Sequence, residues 1–135
     1  MIQELLEYLF IRQIQDDAEG TESDDIIAYI VLNKLPNQKI YIITGDSDIH
    51  QLISEDVAIY NFREKEVYHV GNYKEKFGIP VENVLIHKIL CGDTSDNIKG
   101  VRGLGPAKRE KYYPELYTNA ITIEEIVKKT RSLSV

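Results

Sequence analysis

The stretch QKIYIITGDSDIHQLI, residues 38–53, decides the fold. Its first half, QKIYIITG, is a near-continuous apolar run of strand length closed by Gly45. That is the pattern of a central parallel strand buried on both faces. Asp46 and Asp48 follow at its carboxyl end, and DIHQLI then begins a helix. Open α/β sheets build their sites at this edge, so these residues predict both an architecture and a place where chemistry happens.

Working outward, SDDIIAYIVLNKL (23–35) reads as a helix, with Ser23 or its neighbours near the N-cap and acids in the first turn. Before it, IQELLEYL has apolar residues at helical spacing, FIRQIQ reads as a short strand, and DDAEGTE as a turn. Downstream, VAIYNF and EVYHV predict two strands and GNYKEKFG a helix. PVENVLIHKILCG predicts a helix with Pro80 early and Gly92 at its end. GPAKREKYY and TIEEIVKKTRSL are two further helices. This order argues for an α/β protein, a parallel core carrying a helical C-terminal lobe, divided at 1–92 and 93–135.

The composition, 43% hydrophobic and 28% charged over 135 residues, is that of an ordinary soluble domain. No apolar run reaches the ~20 residues of a membrane span, and no secretory leader opens the chain. No membrane role is expected. A single cysteine, Cys91, excludes an internal disulfide and fits a reducing, cytoplasmic setting. It reads as a small buried residue near a helix end. The net charge of −6 is unevenly spread. Residues 1–96 carry 18 acids and 8 Lys/Arg, whereas residues 97–135 carry 4 acids and 8 Lys/Arg. A globally acidic chain attracts polyanions poorly, but a local basic stripe can still bind them.

Three acidic groups stand out: Glu22, Asp24 and Asp25; Asp46 and Asp48; Asp93 and Asp96. Taken singly, each has a plain explanation, since acids in a first helical turn favour the macrodipole. If they converge, their mutual repulsion requires cations. Oxygen ligands without a Cys/His cluster point to Mg²⁺ or Mn²⁺ rather than zinc. His50, His69 and His87 are scattered and read as ordinary helix or strand residues.

The second acid pair runs directly into GVRGLGPAKREKYY. Gly103 and Gly105 permit a tight turn, and Pro106 suits the first position of the helix that follows. Exposed N–H groups at that helix start, with Lys99, Arg102, Lys108, Arg109 and Lys111 around them, suit a phosphate backbone. An ordinary helix–turn–helix corner with a solvated basic face is the plainer alternative. A DNA backbone contact gives the neighbouring acids something to act on.

In order and spacing, TESDDIIA, TGDSDIHQLI and GDTSDNIKGVRGLGPAK resemble motifs of the 5′ nuclease (flap endonuclease) family. That family includes phage 5′–3′ exonucleases and the 5′-nuclease domain of bacterial DNA polymerase I. The resemblance runs from about Leu5 to Tyr113. It implies a PIN-like fold with a helix–three-turn–helix element, and divalent-metal-dependent phosphodiester hydrolysis near 5′ ends, flaps or nicks of DNA. Position by position, it implies that Glu22, Asp24, Asp25, Asp46, Asp48, Asp93 and Asp96 hold two metal ions, directly or through water. Asp25, Asp46 and Asp48 would be the principal catalytic ligands. It implies that Lys99, Arg102, Gly103, Gly105, Ala107, Lys108, Arg109 and Lys111 grip DNA, with K⁺ held by backbone carbonyls of the turn. A phage or bacterial cytoplasm is the setting it suggests.

Two departures bear on this. Ser23 stands where a small apolar residue is commoner, a minor change. No residue matches the family's earlier strand aspartate, or the second aspartate and basic arch that follow it. Residues 1–92 are therefore expected to form only part of the metal-binding core, and the chain alone is expected to cleave DNA poorly. Three readings follow: an enzyme, completed by a separate N-terminal polypeptide or active unaided; a non-catalytic, structure-specific DNA-binding module; or a fragment of a longer chain.

Overall fold

The computed structural model describes Tyr8, residues 20–94 and residues 97–133. Apart from Tyr8, which is helical, the helix expected over 2–9 lies outside the described residues. So do the strand expected over 10–15 and the site candidate Asp96. The chain divides into two compact units, one ending at Lys34 and the other beginning at Leu35.

The described part of the first unit is dominated by helix α1, Ser23–Leu32. Glu22 is its N-cap, and Asp25 Oδ2 accepts a hydrogen bond from the Glu22 N–H at 3.1 Å. Asn33 closes the helix, with both its backbone N–H and its Nδ2 donating to the Tyr29 carbonyl. The acids of this first turn therefore have a local structural role.

In the second unit, β1 (Ile40–Ile43) pairs in parallel with β2 (Val57–Asn61), and β2 pairs antiparallel with β3 (Glu66–Tyr68). Alternation is clear in β2. Val57, Ile59 and Asn61 are buried, and Ala58 and Tyr60 between them are half-buried. Strand β1 departs from the sequence expectation. Ile42 faces the core, but Tyr41 and Ile43 are each 70% exposed. Among the described residues β1 has a strand neighbour on one side only. An apolar run does not distinguish a strand covered on both faces from an edge strand covered on one.

Parallel strands require a crossover, and residues 44–56 supply one built around a 3₁₀ turn, Asp48–Leu52. Ile49 and His50 of this turn are buried. His50 Nδ1 lies 2.9 Å from the Tyr73 hydroxyl, and its ring packs against Tyr68, Tyr73 and Phe77. Burial pushes the His50 pKa down. Helix α2 (Val70–Phe77), where Tyr73 and Phe77 sit, starts at His69 and ends at left-handed Gly78.

A 3₁₀ turn over Val81–Asn83 leads into helix α3, Val84–Cys91. Asn83 is 0% exposed. Its Nδ2 donates to the carbonyls of Leu116 (2.8 Å) and Asn119 (2.7 Å), and its Oδ1 accepts from the Ile121 N–H (3.0 Å). Three helices follow: α4 (Pro106–Tyr112), α5 (Glu115–Thr118) and α6 (Ile123–Leu133). Thr122 and Glu125 cap α6 reciprocally. Ile86, Leu90, Tyr113, Leu116 and Ile126 form one apolar cluster that joins α3 to these helices.

Candidate metal centre and basic turn

The acidic site is assembled from the end of β1, the end of α3 and a short hairpin of two-residue strands. Past β1, the Asp46 N–H donates to Thr44 Oγ1 (3.0 Å), and the Asp48 N–H donates to Asp46 Oδ1 (2.9 Å). Asp46 thus spends one carboxylate oxygen on shaping the turn that presents Asp48. The buried Ile49 and His50 fix that turn from below.

Asp93 is placed by glycine chemistry. It lies in β4 (Gly92–Asp93), paired antiparallel with β5 (Ile98–Lys99). Gly92 ends α3 at φ +80°, and a Cβ there would lie 2.3 Å from the Gly100 nitrogen. A Cβ on Gly100 would lie 2.3 Å from the Cys91 carbonyl carbon. Neither position has room for a side chain, and this close approach sets the hairpin directly against the helix end.

Lys88 of α3 joins the two acids. Its ammonium donates to Asp48 Oδ1 and, at 2.8 Å, to Asp93 Oδ2. Burial by itself would lower the Lys88 pKa; hydrogen bonds and charge from Asp48 and Asp93 outweigh it, and the net direction is up. Nothing in the periodicity of the sequence singles out Lys88. The available signal was a lone cation one turn before the helix-ending CGD.

The predicted carboxylates are therefore distributed as follows. Asp46 supports Asp48, and Asp48 meets Asp93 across Lys88. Glu22, Asp24 and Asp25 form the start of α1 in the first unit. Among the described residues no group of three or more His, Cys, Asp or Glu side chains gathers closely enough to hold a metal ion. The Asp48–Asp93 pair nevertheless suits a hard divalent cation. Its donors are carboxylate oxygens, and they already converge on one positive charge.

The basic turn follows β5. Leu104 N–H bonds to the Val101 carbonyl, Gly103 has φ +78°, and Pro106 occupies the first turn of α4. Lys99, Arg102, Gly103, Gly105, Ala107, Lys108 and Lys111 are exposed. Arg109 differs: it is half-buried, and its Nη1 donates to the Leu104 carbonyl at 3.2 Å. It braces the turn from behind. Half-buried Cys91 has its Sγ 3.3 Å from His87 Nε2, and burial pushes its thiol pKa up.

The chain as a whole is similar to known proteins. Residues 1–78 match the sequence model of the 5′-3′ exonuclease N-terminal resolvase-like domain. The 5′-3′ exonuclease of Mycoplasmopsis pulmonis is 32% identical over 86% of this chain and 38% of its own length. DNA polymerase I of Caldicellulosiruptor bescii is 37% identical over 84% of this chain and 14% of its own. Two solved structures share the architecture. T5 5′-exonuclease with bound zinc ions gives a TM-score of 0.71 at 27% identity, covering 95% of this chain and 46% of that one. The bacteriophage T5 flap endonuclease, in a pseudo-enzyme-product complex with DNA and metal ions, gives 0.68 at 27% identity, over 93% and 44%. The chain belongs to the 5′–3′ exonuclease family and has its PIN-like α/β fold. It spans less than half the length of each of these relatives. No described helix is long and apolar enough to cross a membrane.

Proposed function

We propose that this chain carries the metal-binding and DNA-binding machinery of a structure-specific 5′ nuclease acting on flap, nicked or 5′-ended DNA in a phage or bacterial cell. One observation carries the reading: Asp48 and Asp93, from distant parts of the sequence, converge on a single positive charge at the carboxyl end of β1. Asp25, Asp46 and Asp48 would be the principal ligands. Glu22, Asp24, Asp93 and Asp96 would complete the set directly or through water. When bound, Mg²⁺ or Mn²⁺ supplies an activated water and stabilises the leaving oxygen of an in-line displacement at phosphorus. In that reaction a water oxygen–phosphorus bond forms as the phosphodiester P–O bond breaks. The chain's own contribution is orientation. Asp46 holds the Asp48 turn, the glycine contact holds Asp93, and the exposed Lys99, Arg102, Lys108 and Lys111 hold the DNA backbone. Gly103, Gly105 and Ala107 let that backbone approach closely, Arg109 keeps the turn in shape, and K⁺ would sit on its carbonyls. Residues 93–135 would act as the DNA-binding lobe and 1–92 as the metal-binding part.

The test is a pair of binding measurements on the purified chain. Bound Mn²⁺ is followed by electron paramagnetic resonance, and retention of a 5′-flap duplex by gel shift. Asp48→Asn should weaken Mn²⁺ binding at least tenfold and leave duplex retention in place, and Lys108→Ala should do the reverse. A chain that binds neither Mn²⁺ nor duplex DNA at millimolar and micromolar concentrations, respectively, would overturn the reading.

A further inference from the structure

We propose that Lys88 is a built-in counter-ion: its ammonium occupies the meeting point of Asp48 and Asp93 until a divalent cation displaces it. Lys88 thereby sets the cation concentration at which the site fills. This rests on the reading of Asp48 and Asp93 as metal ligands, and it concerns a residue outside that ligand set.

Two carboxylates held close together repel unless a positive charge lies between them. Lys88 provides it, with one hydrogen bond to each acid. The three side chains are only 15–33% exposed, so water screens the cluster incompletely. The backbone beneath the ammonium is well anchored. Ile86 and Leu90 flank Lys88 on α3 and are both buried in the apolar cluster. The ammonium itself ends a flexible four-carbon stem and can swing away without moving the helix.

An ammonium hydrogen-bonded to both carboxylates repels a divalent cation that binds the same pair. The ammonium offers three donors and no coordination positions, so it can neither polarise a water nor accept a phosphate oxygen. The lysine-filled arrangement is therefore a stable, chemically silent form. Cation binding must move a unit positive charge away from the incoming ion, and the cost of doing so appears as weaker binding. Removing that charge should tighten the site.

The experiment compares Mn²⁺ binding to the wild-type chain, Lys88→Met, Lys88→Arg and Asp48→Asn, by titration calorimetry at fixed ionic strength. Methionine keeps most of the stem's bulk without its charge. Lys88→Met is expected to bind Mn²⁺ about tenfold more tightly, as removal of a nearby unit charge allows. Its melting temperature without divalent cation should fall below that of the wild type. Lys88→Arg keeps the charge and should bind no more tightly than the wild type. Equal or weaker binding by Lys88→Met, with Asp48→Asn still impaired, overturns the counter-ion role and leaves the metal-site reading intact. Binding that neither Asp48→Asn nor Lys88→Met alters overturns both.

A second measurement needs no folded Lys88→Met. In wild-type chain labelled with ¹³C at lysine Cε, the Lys88 resonance, assigned through Lys88→Arg, should shift during a Mg²⁺ titration with the same midpoint as binding. A resonance that stays fixed while Mg²⁺ binds overturns the proposal.

Discussion

At the scale of single residues, Gly92 and Gly100 set the close contact between the end of α3 and the hairpin. Each lies where a Cβ would collide with backbone at 2.3 Å, and Gly92 also has φ +80°. Gly92→Ala should therefore cost about 2–4 kcal/mol through backbone strain and overpacking. It should also weaken Mn²⁺ binding, because Asp93 moves with the hairpin. Gly105 is the contrasting case. A Cβ there meets nothing within 4 Å, and its φ is −70°. Gly105→Ala should change stability by less than about 1 kcal/mol, yet reduce duplex binding if the DNA backbone comes close to it. Urea melts and gel shifts on the two variants separate a glycine required by the fold from one required by a ligand. Equal destabilisation by both would contradict the distinction.

At the scale of elements, α3 and the basic turn make separate predictions. On α3, half-buried His87 has its pKa pushed below the ordinary 6.5, first by burial and then by the nearby Arg109 charge. The folded state thus favours the neutral imidazole. Its contribution to stability is complete above pH 6.5 and is lost as the pH falls below that value toward the folded pKa. His87→Asn should accordingly lose less stability than the wild type between pH 7.5 and pH 5.5, measured by chemical denaturation. Parallel losses in the two proteins would show that the imidazole titrates freely. In the turn, exposed Lys108 makes a phosphate contact in the proposed complex. Lys108→Ala should weaken binding to all duplex sequences alike and lower the salt slope by about one unit. A sequence-dependent loss would point to base contacts instead.

The elements also show what could be read in advance. Pro106 at a helix start and Gly92 at a helix end are local signals, and a helix begins at the one and ends at the other. The depth of burial of β1 was not local. Its apolar run predicted cover on both faces, whereas Tyr41 and Ile43 are exposed. The acids were identifiable as chemical groups, but the cation bridging two of them was not. Lys88 meets Asp48 forty residues away, and only the docking of the 3₁₀ turn on α3 brings them together. Contacts of that range have no periodicity to reveal them.

At the scale of the whole molecule, the acid-rich residues 1–96 and the basic residues 97–135 would separate the two kinds of binding proposed above. Mn²⁺ should raise the melting temperature by mass action, equivalent to about 2.7 kcal/mol at a hundredfold excess over its dissociation constant. Asp48→Asn should remove most of that rise, and Lys108→Ala should leave it intact. Thermal melts with and without Mn²⁺ test this directly, and an unchanged wild-type midpoint in millimolar Mn²⁺ would count against an assembled site.

Asn83 has a consequence for how the molecule opens. Its amide ties the entry to α3 to three backbone groups between Leu116 and Ile121. An opening that frees α3 must break all three bonds, at a net ~0.5–1.5 kcal/mol each. Residues 83–91 and 116–126 should therefore behave as one cooperative unit in native-state hydrogen exchange, with their slowest amides sharing a single opening free energy. Asn83→Ala should uncouple them, so that the Ile121 amide exchanges through smaller, faster fluctuations while α3 stays protected. With the tie intact, the helix holding the Lys88 bridge does not open alone, and the acidic centre keeps its geometry until the segment 116–126 opens with it.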